Sequence, residues 1–183
     1  MEIITTPIRD VLLITPRVFN DSRGYFFESF RQDLMEAQGI NSVFVQDNQA
    51  FSTYGTLRGL HFQSGQYAQS KLVRVTQGEV LDVIVDLRRD SATYGQSFSI
   101  RLSEENNLQM YVPRGFAHGY VVLSPSALFQ YKCDNYYHKL AEGGIRFDDP
   151  DLDIDWIVPK ERLLISEKDQ ILPLLRELKQ NHS

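Results

Sequence analysis

"KLVRVTQGEVLDVIVDLR", residues 71–88, consists of two runs rich in Val, Ile and Leu on either side of Gln77-Gly78. β-Branched side chains fit the pleated, half-buried surface of a strand. A glycine-containing tetrapeptide between two such runs reads as a tight hairpin, here Thr76 to Glu79. Along the second run, Leu81, Val83, Val85 and Leu87 project to one side, and Asp82, Ile84, Asp86 and Arg88 to the other. The ordinary reading of the second set is a solvated face. In a β-barrel that encloses a ligand, a polar face lines the cavity instead.

The same texture extends in both directions. Toward the amino terminus lie "VLLIT" (11–15), "GYFFESF" (24–30), "SVFVQDNQAF" (42–51) and "LRGLHFQ" (57–63). Toward the carboxyl terminus lie "SFSIRL" (97–102), "QMYVP" (109–113), "GYVVLS" (119–124) and "ALFQYKC" (127–133). Short Val-, Phe- and Tyr-rich segments at roughly ten-residue spacing predict an all-β sandwich or barrel. Helical signals are few. "RQDLMEAQG" (31–39) ends on Gly39, and "SEKDQILPLLRELKQ" (166–180) opens with Ser166 and Asp169 spaced as a capping box. An apolar stripe of Ile171, Leu174, Leu175 and Leu178 follows, with Pro173 awkward inside it. On its own, Asp169 reads as a helix cap.

At 183 residues, 42% hydrophobic and 23% charged, the chain fits one globular domain over 1–183 rather than a disordered segment. Its net charge of −5 argues against a dedicated nucleic-acid binder, although one basic pocket can still hold an anionic ligand. No apolar run reaches membrane-spanning length, and "MEIITTPIRD" lacks the basic-then-apolar pattern of a signal peptide, so a cytoplasmic location is expected. Cys133 is the sole cysteine, which leaves no disulfide framework or cysteine zinc site within one chain.

Chemistry concentrates between Arg58 and Lys71. His61 can accept a proton near neutrality, and a cation beside it can hold developing negative charge in a water-poor cavity. The alternative is a buried imidazole satisfied by a backbone carbonyl. Arg58 and His61 are three residues apart, so on a regular strand they face opposite sides; a bulge at Gly59 would bring them together. Metal-binding jelly rolls use a His-x-His pair, but here the run is His61-Phe62-Gln63, and glutamine is a poor transition-metal ligand. His118 adds one more nitrogen without an evident carboxylate, so no metal is expected. Neither a Gly-x-Ser-x-Gly elbow nor a phosphate-cradling glycine loop occurs. Cys133 reads as a small core residue. Within "YVPRGFAHGYVVLS", His118 is either a turn-flanking residue or part of a cavity wall. Tyr136 and Tyr137 could stack on a flat ring, and Tyr131, two residues before Cys133, is a buried phenol or an acid.

Taken together, "FNDSRGYFFESF", "FVQDNQAFS", "LRGLHFQ", "KLVRVTQGEVLDVIVDLR", "YVPRGFAHGYVVLS", "YKCDNYY" and "EGGIRFDDP" have the order and spacing of the dTDP-4-dehydrorhamnose 3,5-epimerases, which the chain resembles from about residue 1 to 175. The resemblance implies a double-stranded β-helix, the cupin jelly roll, without metal or other cofactor. It implies a homodimer that exchanges amino-terminal strands, and a dTDP-4-dehydro-6-deoxy-D-glucose substrate inverted at C3 and C5 on the way to dTDP-L-rhamnose. By the family pattern His61 is the general base, Asp169 orients its imidazole, Tyr131 is the acid on the opposite face, and Lys71 sits near the C4 oxygen. Arg23, Arg58, His118 and Lys168 would meet the pyrophosphate and sugar. Glu28, Gln46, Asp47, Asn48 and Glu142 would hydrogen-bond thymine, ribose or sugar hydroxyls, and Tyr137 would stack on thymine. Residues near Arg23 and Glu28 would reach the neighbouring subunit's site. Open alternatives are a C3-only or C5-only epimerase, a 3,4-ketoisomerase of dTDP-sugars, and a non-catalytic sugar-nucleotide-binding jelly roll.

Overall fold

In the computed structural model, which describes residues 1–178, Gln77-Gly78 does not close a hairpin. It carries the chain from one sheet to another. The first sheet runs β1 (Glu2–Thr5), β2 (Leu12–Thr15), β10 (Gln109–Val112), β7 (Lys71–Gln77), β12 (Ser126–Cys133) and β5 (Gln46–Thr53). The second runs β13 (Glu142–Gly144), β6 (Thr56–Gln63), β11 (Phe116–Val122), β8 (Glu79–Asp86) and β9 (Ser97–Ser103), with β14 (Leu164–Ile165) parallel to β6. Thus β7 pairs with β10 and β12, while β8 pairs with β9 and β11. Gly78 has φ +78°, and a Cβ there would lie 2.1 Å from the Ser126 carbonyl oxygen. A turn signal states that the chain reverses, not which sheet receives it; that is the physical source of the difference from the hairpin expectation. The result is the expected jelly roll, a double-stranded β-helix.

Both faces of β8 are buried, which corrects the solvated-face reading. Val80 and Ile84 pack between the sheets with Val73, Val75, Met110 and Phe129. Leu81, Val83 and Val85 face outward but are covered by Ile145, Phe147, Trp156 and Val158 from the carboxyl-terminal segment. On the other flank, α1 (Gln32–Glu36) contributes Met35 to a cluster with Ile14, Ile40 and Leu72. Of the strand expected over 24–30, only Gly24–Phe26 (β4) forms; it pairs with β3 (Phe19–Asp21) as a separate hairpin. The helix expected after Ser166 is two short ones, α2 (Glu167–Gln170) and α3 (Leu175–Leu178), broken around Pro173. Ile171 is 84% exposed and falls outside the apolar stripe, whereas Leu174 and Leu175 are buried. Lys179 and Gln180 lie outside the described residues.

Asp86 fastens the loop after β8. Its buried carboxylate accepts from the Arg88 backbone and guanidinium and from the Ser91 and Thr93 hydroxyls. Burial alone raises a carboxylate's pKa, but these donors outweigh it and hold Asp86 at about 2 against an ordinary 3.8. A depressed folded pKa stabilises above the unfolded value and ceases to as pH falls through the folded one. Asp86→Ala is expected to cost about 2 kcal/mol at neutral pH, because it removes the shared acceptor of the Arg88 N–H groups and two hydroxyls, while Arg88 keeps Asp10 and the Arg9 carbonyl. Urea unfolding should show that deficit undiminished above roughly pH 5 and shrinking as pH falls toward about 2.

Candidate active site

The bulge anticipated at Gly59 is present. His118 is opposite His61 and Tyr120 is opposite Arg58, so two steps on β11 match three on β6. The extra residue returns Arg58 and His61 to the same side of the strand. Gly59 has φ +128°, and a Cβ on it would come within 2.5 Å of the Gly119 Cα. Only glycine fits where the two backbones approach so closely.

Both side chains therefore line a cavity of about 840 Å³ between the sheets. From the first sheet come Gln46 and Asn48 on β5, Lys71 on β7, and Phe129, Tyr131 and Cys133 on β12. From the second come Arg58 and His61 on β6 and His118 and Tyr120 on β11, while α2 closes one side with Lys168 and Asp169. The sequence-expected base and acid thus enter one space from opposite sheets.

His61 Nε2 lies 2.7 Å from Asp169 Oδ1. Burial of Asp169 (4% exposed) works to raise its pKa, but the His61 hydrogen bond and charge, with help from the Gly59 N–H and the Ser166 hydroxyl, bring it below the ordinary value. An ionised carboxylate accepts only, so Nε2 carries a proton, and in the neutral imidazole Nδ1 is the nitrogen left with a lone pair. Half of the expected capping box forms as well: Ser166 Oγ accepts from the Asp169 backbone N–H at 3.1 Å, while the Asp169 carboxylate serves His61 and the Gly59 N–H instead of reaching back to the Ser166 N–H. Cap and pair use different atoms of the same residue. Asp169→Asn is consequently expected to lower turnover about 10- to 100-fold while leaving the cap in place. Kinetics and melting measured together check this; unchanged turnover, with or without a melting shift, would reduce the Asp169 carboxylate to a structural role.

Across the cavity, burial first, then the neighbouring Cys133 and Tyr120, pushes the Tyr131 phenol up to about 12. It stays protonated at any physiological pH and is able to donate. Lys71 Nζ lies 6.0 Å from the Tyr131 ring centroid and makes no ion pair among the described residues. Burial lowers its pKa, with Cys133 and Asp82 opposing. At the cavity floor, His118 Nε2 lies 3.0 Å from both oxygens of Asp82. Burial pushes Asp82 up and His118 down, each partly offset by the other. Burial also raises the Cys133 thiol to about 11, which suits a core residue rather than a nucleophile.

A polar rim surrounds the mouth. The Tyr137 hydroxyl donates to Glu142 Oε2 at 3.0 Å, Lys168 Nζ pairs with the other oxygen of Glu142, and the Tyr137 N–H donates to Gln46 Oε1. Three expected residues stand elsewhere. Asp47 sits between Gln46 and Asn48, so strand alternation turns it to the outer face, where it pairs with Lys132 at 2.9 Å. Arg23 is bound to Asp21 in the β3–β4 turn, and Glu28 to Arg31; neither lines this chain's own cavity. Conversely, residue-type reasoning did not single out Asp82 or Tyr120 for the site. The available signal was the inward alternation of Asp82 with Ile84. Among the described residues no three His, Cys, Asp or Glu side chains group as metal ligands.

Comparison with known proteins gives a consistent result. A family model described as dTDP-4-dehydrorhamnose 3,5-epimerase matches residues 5–177. The dTDP-4-dehydrorhamnose 3,5-epimerase of Escherichia coli K12 is 49% identical over 179 residues, covering 97% of this chain and 96% of that protein. The crystal structure of the Elizabethkingia anophelis dTDP-4-dehydrorhamnose 3,5-epimerase superposes with a TM-score of 0.93 at 52% identity, covering 97% of both chains. The Legionella pneumophila dTDP-6-deoxy-D-glucose-3,5-epimerase, crystallised with dTDP-4-keto-L-rhamnose, gives 0.92 at 47% identity over 96% of this chain and 93% of its own. Across almost the whole of its length, then, the chain belongs to the dTDP-4-dehydrorhamnose 3,5-epimerase family.

Proposed function

We propose that the protein epimerises dTDP-4-dehydro-6-deoxy-D-glucose at C3 and C5 to dTDP-4-dehydro-L-rhamnose, as an isomerase of dTDP-L-rhamnose biosynthesis. The observation that carries this is the His61–Asp169 pair facing Tyr131 from the opposite sheet across one cavity. Both C3 and C5 flank the C4 ketone. His61 Nδ1 removes the proton from one of them, and the bonding pair moves into a C–C double bond as the carbonyl π electrons go to the C4 oxygen. The Lys71 ammonium stabilises that enolate. As the carbonyl reforms, the Tyr131 phenol returns a proton to the same carbon from the other side, which inverts it. His61 then gives up its proton and Tyr131 regains one, and the second centre follows once the sugar has shifted.

Arg58, His118 and Lys168 supply cationic or donor groups for the diphosphate and sugar, and Gln46, Asn48, Tyr137 and Glu142 polar and aromatic groups for the nucleoside end. The outlying Arg23 and Glu28 fit a homodimer in which each amino-terminal arm completes its partner's site. The β3–β4 hairpin exposes Tyr25 (62%) and Phe26 (66%), an apolar surface of the kind that marks an interface. The two sheets share one core and one cavity, which supports a single domain over 1–183. A doubly charged nucleotide sugar does not cross a bilayer unaided, and this supports a cytoplasmic site of action.

Incubating the protein with the 4-keto sugar nucleotide in heavy water, and following the C3 and C5 protons by NMR, tests the reading. Deuterium at both carbons with inverted product is expected. Deuterium at one carbon would mean a single-site epimerase, and none at either would mean a binder.

A further inference from the structure

Arg58 projects from the bulge with its Nε donating to Ser52 Oγ at 3.1 Å, across from β6 to β5. Among the described residues this is the one hydrogen bond its guanidinium completes, and no carboxylate pairs with it. Its two terminal nitrogens, the prongs that grip a planar anion in bidentate fashion, are therefore left for a ligand. Behind it, Ser52 is buried. So is the Tyr120 hydroxyl, which lies on the same cavity wall and among the described residues completes no hydrogen bond. Burial raises its pKa, Ser52 and Arg58 lower it and Asp82 raises it further; it lies opposite Arg58 in the β6–β11 register, and its ring stacks on Phe129 with centroids 4.1 Å apart. A buried hydroxyl kept without a full set of partners demands a reason.

We infer that Ser52 and Tyr120 form a buried platform that sets the direction of the Arg58 guanidinium, so that its fork meets the diphosphate of the bound sugar nucleotide. The inference rests on the nucleotide-sugar reading above and extends it to two positions that touch Arg58 rather than the ligand. An arginine loses considerable rotamer freedom when it grips an anion. Holding Nε in advance removes part of that loss, so both hydroxyls act on affinity through Arg58 and not on the proton-transfer step.

The experiment compares dTDP with thymidine, which lacks both phosphates, by NMR titration of the parent protein and of Ser52→Ala, Ser52→Thr and Tyr120→Phe. Ser52→Ala is expected to weaken dTDP about tenfold and Tyr120→Phe about fivefold, with thymidine affinity within twofold of the parent for both. Ser52→Thr, which retains the hydroxyl, should restore dTDP binding to within threefold. In turnover assays the losses should fall on KM with kcat nearly constant. Tyr120→Phe keeps the stacked ring, so it reads the hydroxyl without emptying the core. Equal weakening of both ligands, no weakening of either, or failure of threonine to rescue would overturn the inference. A parent that binds neither ligand would instead overturn the nucleotide-sugar reading beneath it.

Discussion

Replacing His61 by asparagine is expected to lower turnover by about three to four orders of magnitude, the range lost when a general base is removed. Asparagine can keep a hydrogen bond to Asp169 but has no lone pair basic enough to take a proton from carbon. The cavity wall would remain, since His61 is only part-buried and the neighbouring Gly59 bulge is fixed by backbone contacts to Gly119. dTDP affinity should accordingly stay within about threefold of the parent. Deuterium exchange at C3 and C5 should cease with turnover, because in the proposed mechanism the imidazole starts both. Residual exchange above about a tenth of the parent rate would mean that another group, such as the buried His118–Asp82 pair, serves as the base.

Tyr131→Phe has a different expected signature. On the proposed mechanism its phenol delivers the second proton and does not initiate the reaction, so the variant should still open the C–H bond and let His61 return a solvent deuteron to the same face. Inversion should fall about 100- to 1,000-fold, while exchange without inversion survives at a rate within about tenfold of the parent. A phenol held at about 12 also predicts no alkaline loss of activity from Tyr131 through pH 10. An alkaline limb below that would belong to Lys71, whose ammonium burial makes easier to deprotonate. Should exchange and inversion fall together in Tyr131→Phe, the phenol would be supporting proton removal itself, and the division of labour between the two faces would fail.

The fold was legible wherever one strand carried its own signal. Val-, Phe- and Tyr-rich segments between turn residues located β7, β8, β9, β10 and β12 to within a residue or two. Pairing was not legible: Gln77-Gly78 has the chemistry of a hairpin, and it is a crossing because β7 and β8 find their partners in different sheets, with Gly78 and Glu79 held by Glu104 and Ser124. Nor could the outer face of β8 be read, because what covers it, Ile145 to Val158, lies some sixty to seventy residues further along the chain.

The site divides in the same way. Gly59 announced the bulge, since a glycine inside a strand must have a reason, and the bulge put Arg58 and His61 together. Asp169 showed only its capping role locally; its carboxylate reaches His61 through tertiary packing, 108 positions away. Asp82 was on the inward face all along, yet nothing local distinguished an inward carboxylate from a solvated one. Arg23 and Glu28 lie off this chain's own cavity, and under the proposed homodimer they would serve a second chain's site, which the spacing of residues within one chain does not reveal.

The account stands on the sugar lying between His61 and Tyr131. A crystal structure of the protein with an unreactive dTDP-hexose measures this directly. The account predicts the C3–C5 edge of the ring with His61 Nδ1 on one side and Tyr131 Oη on the other, each about 3.5 Å from the carbon it serves. A hexose found with both side chains on the same face of its ring, or lying outside the cavity with only the nucleotide bound, would contradict it.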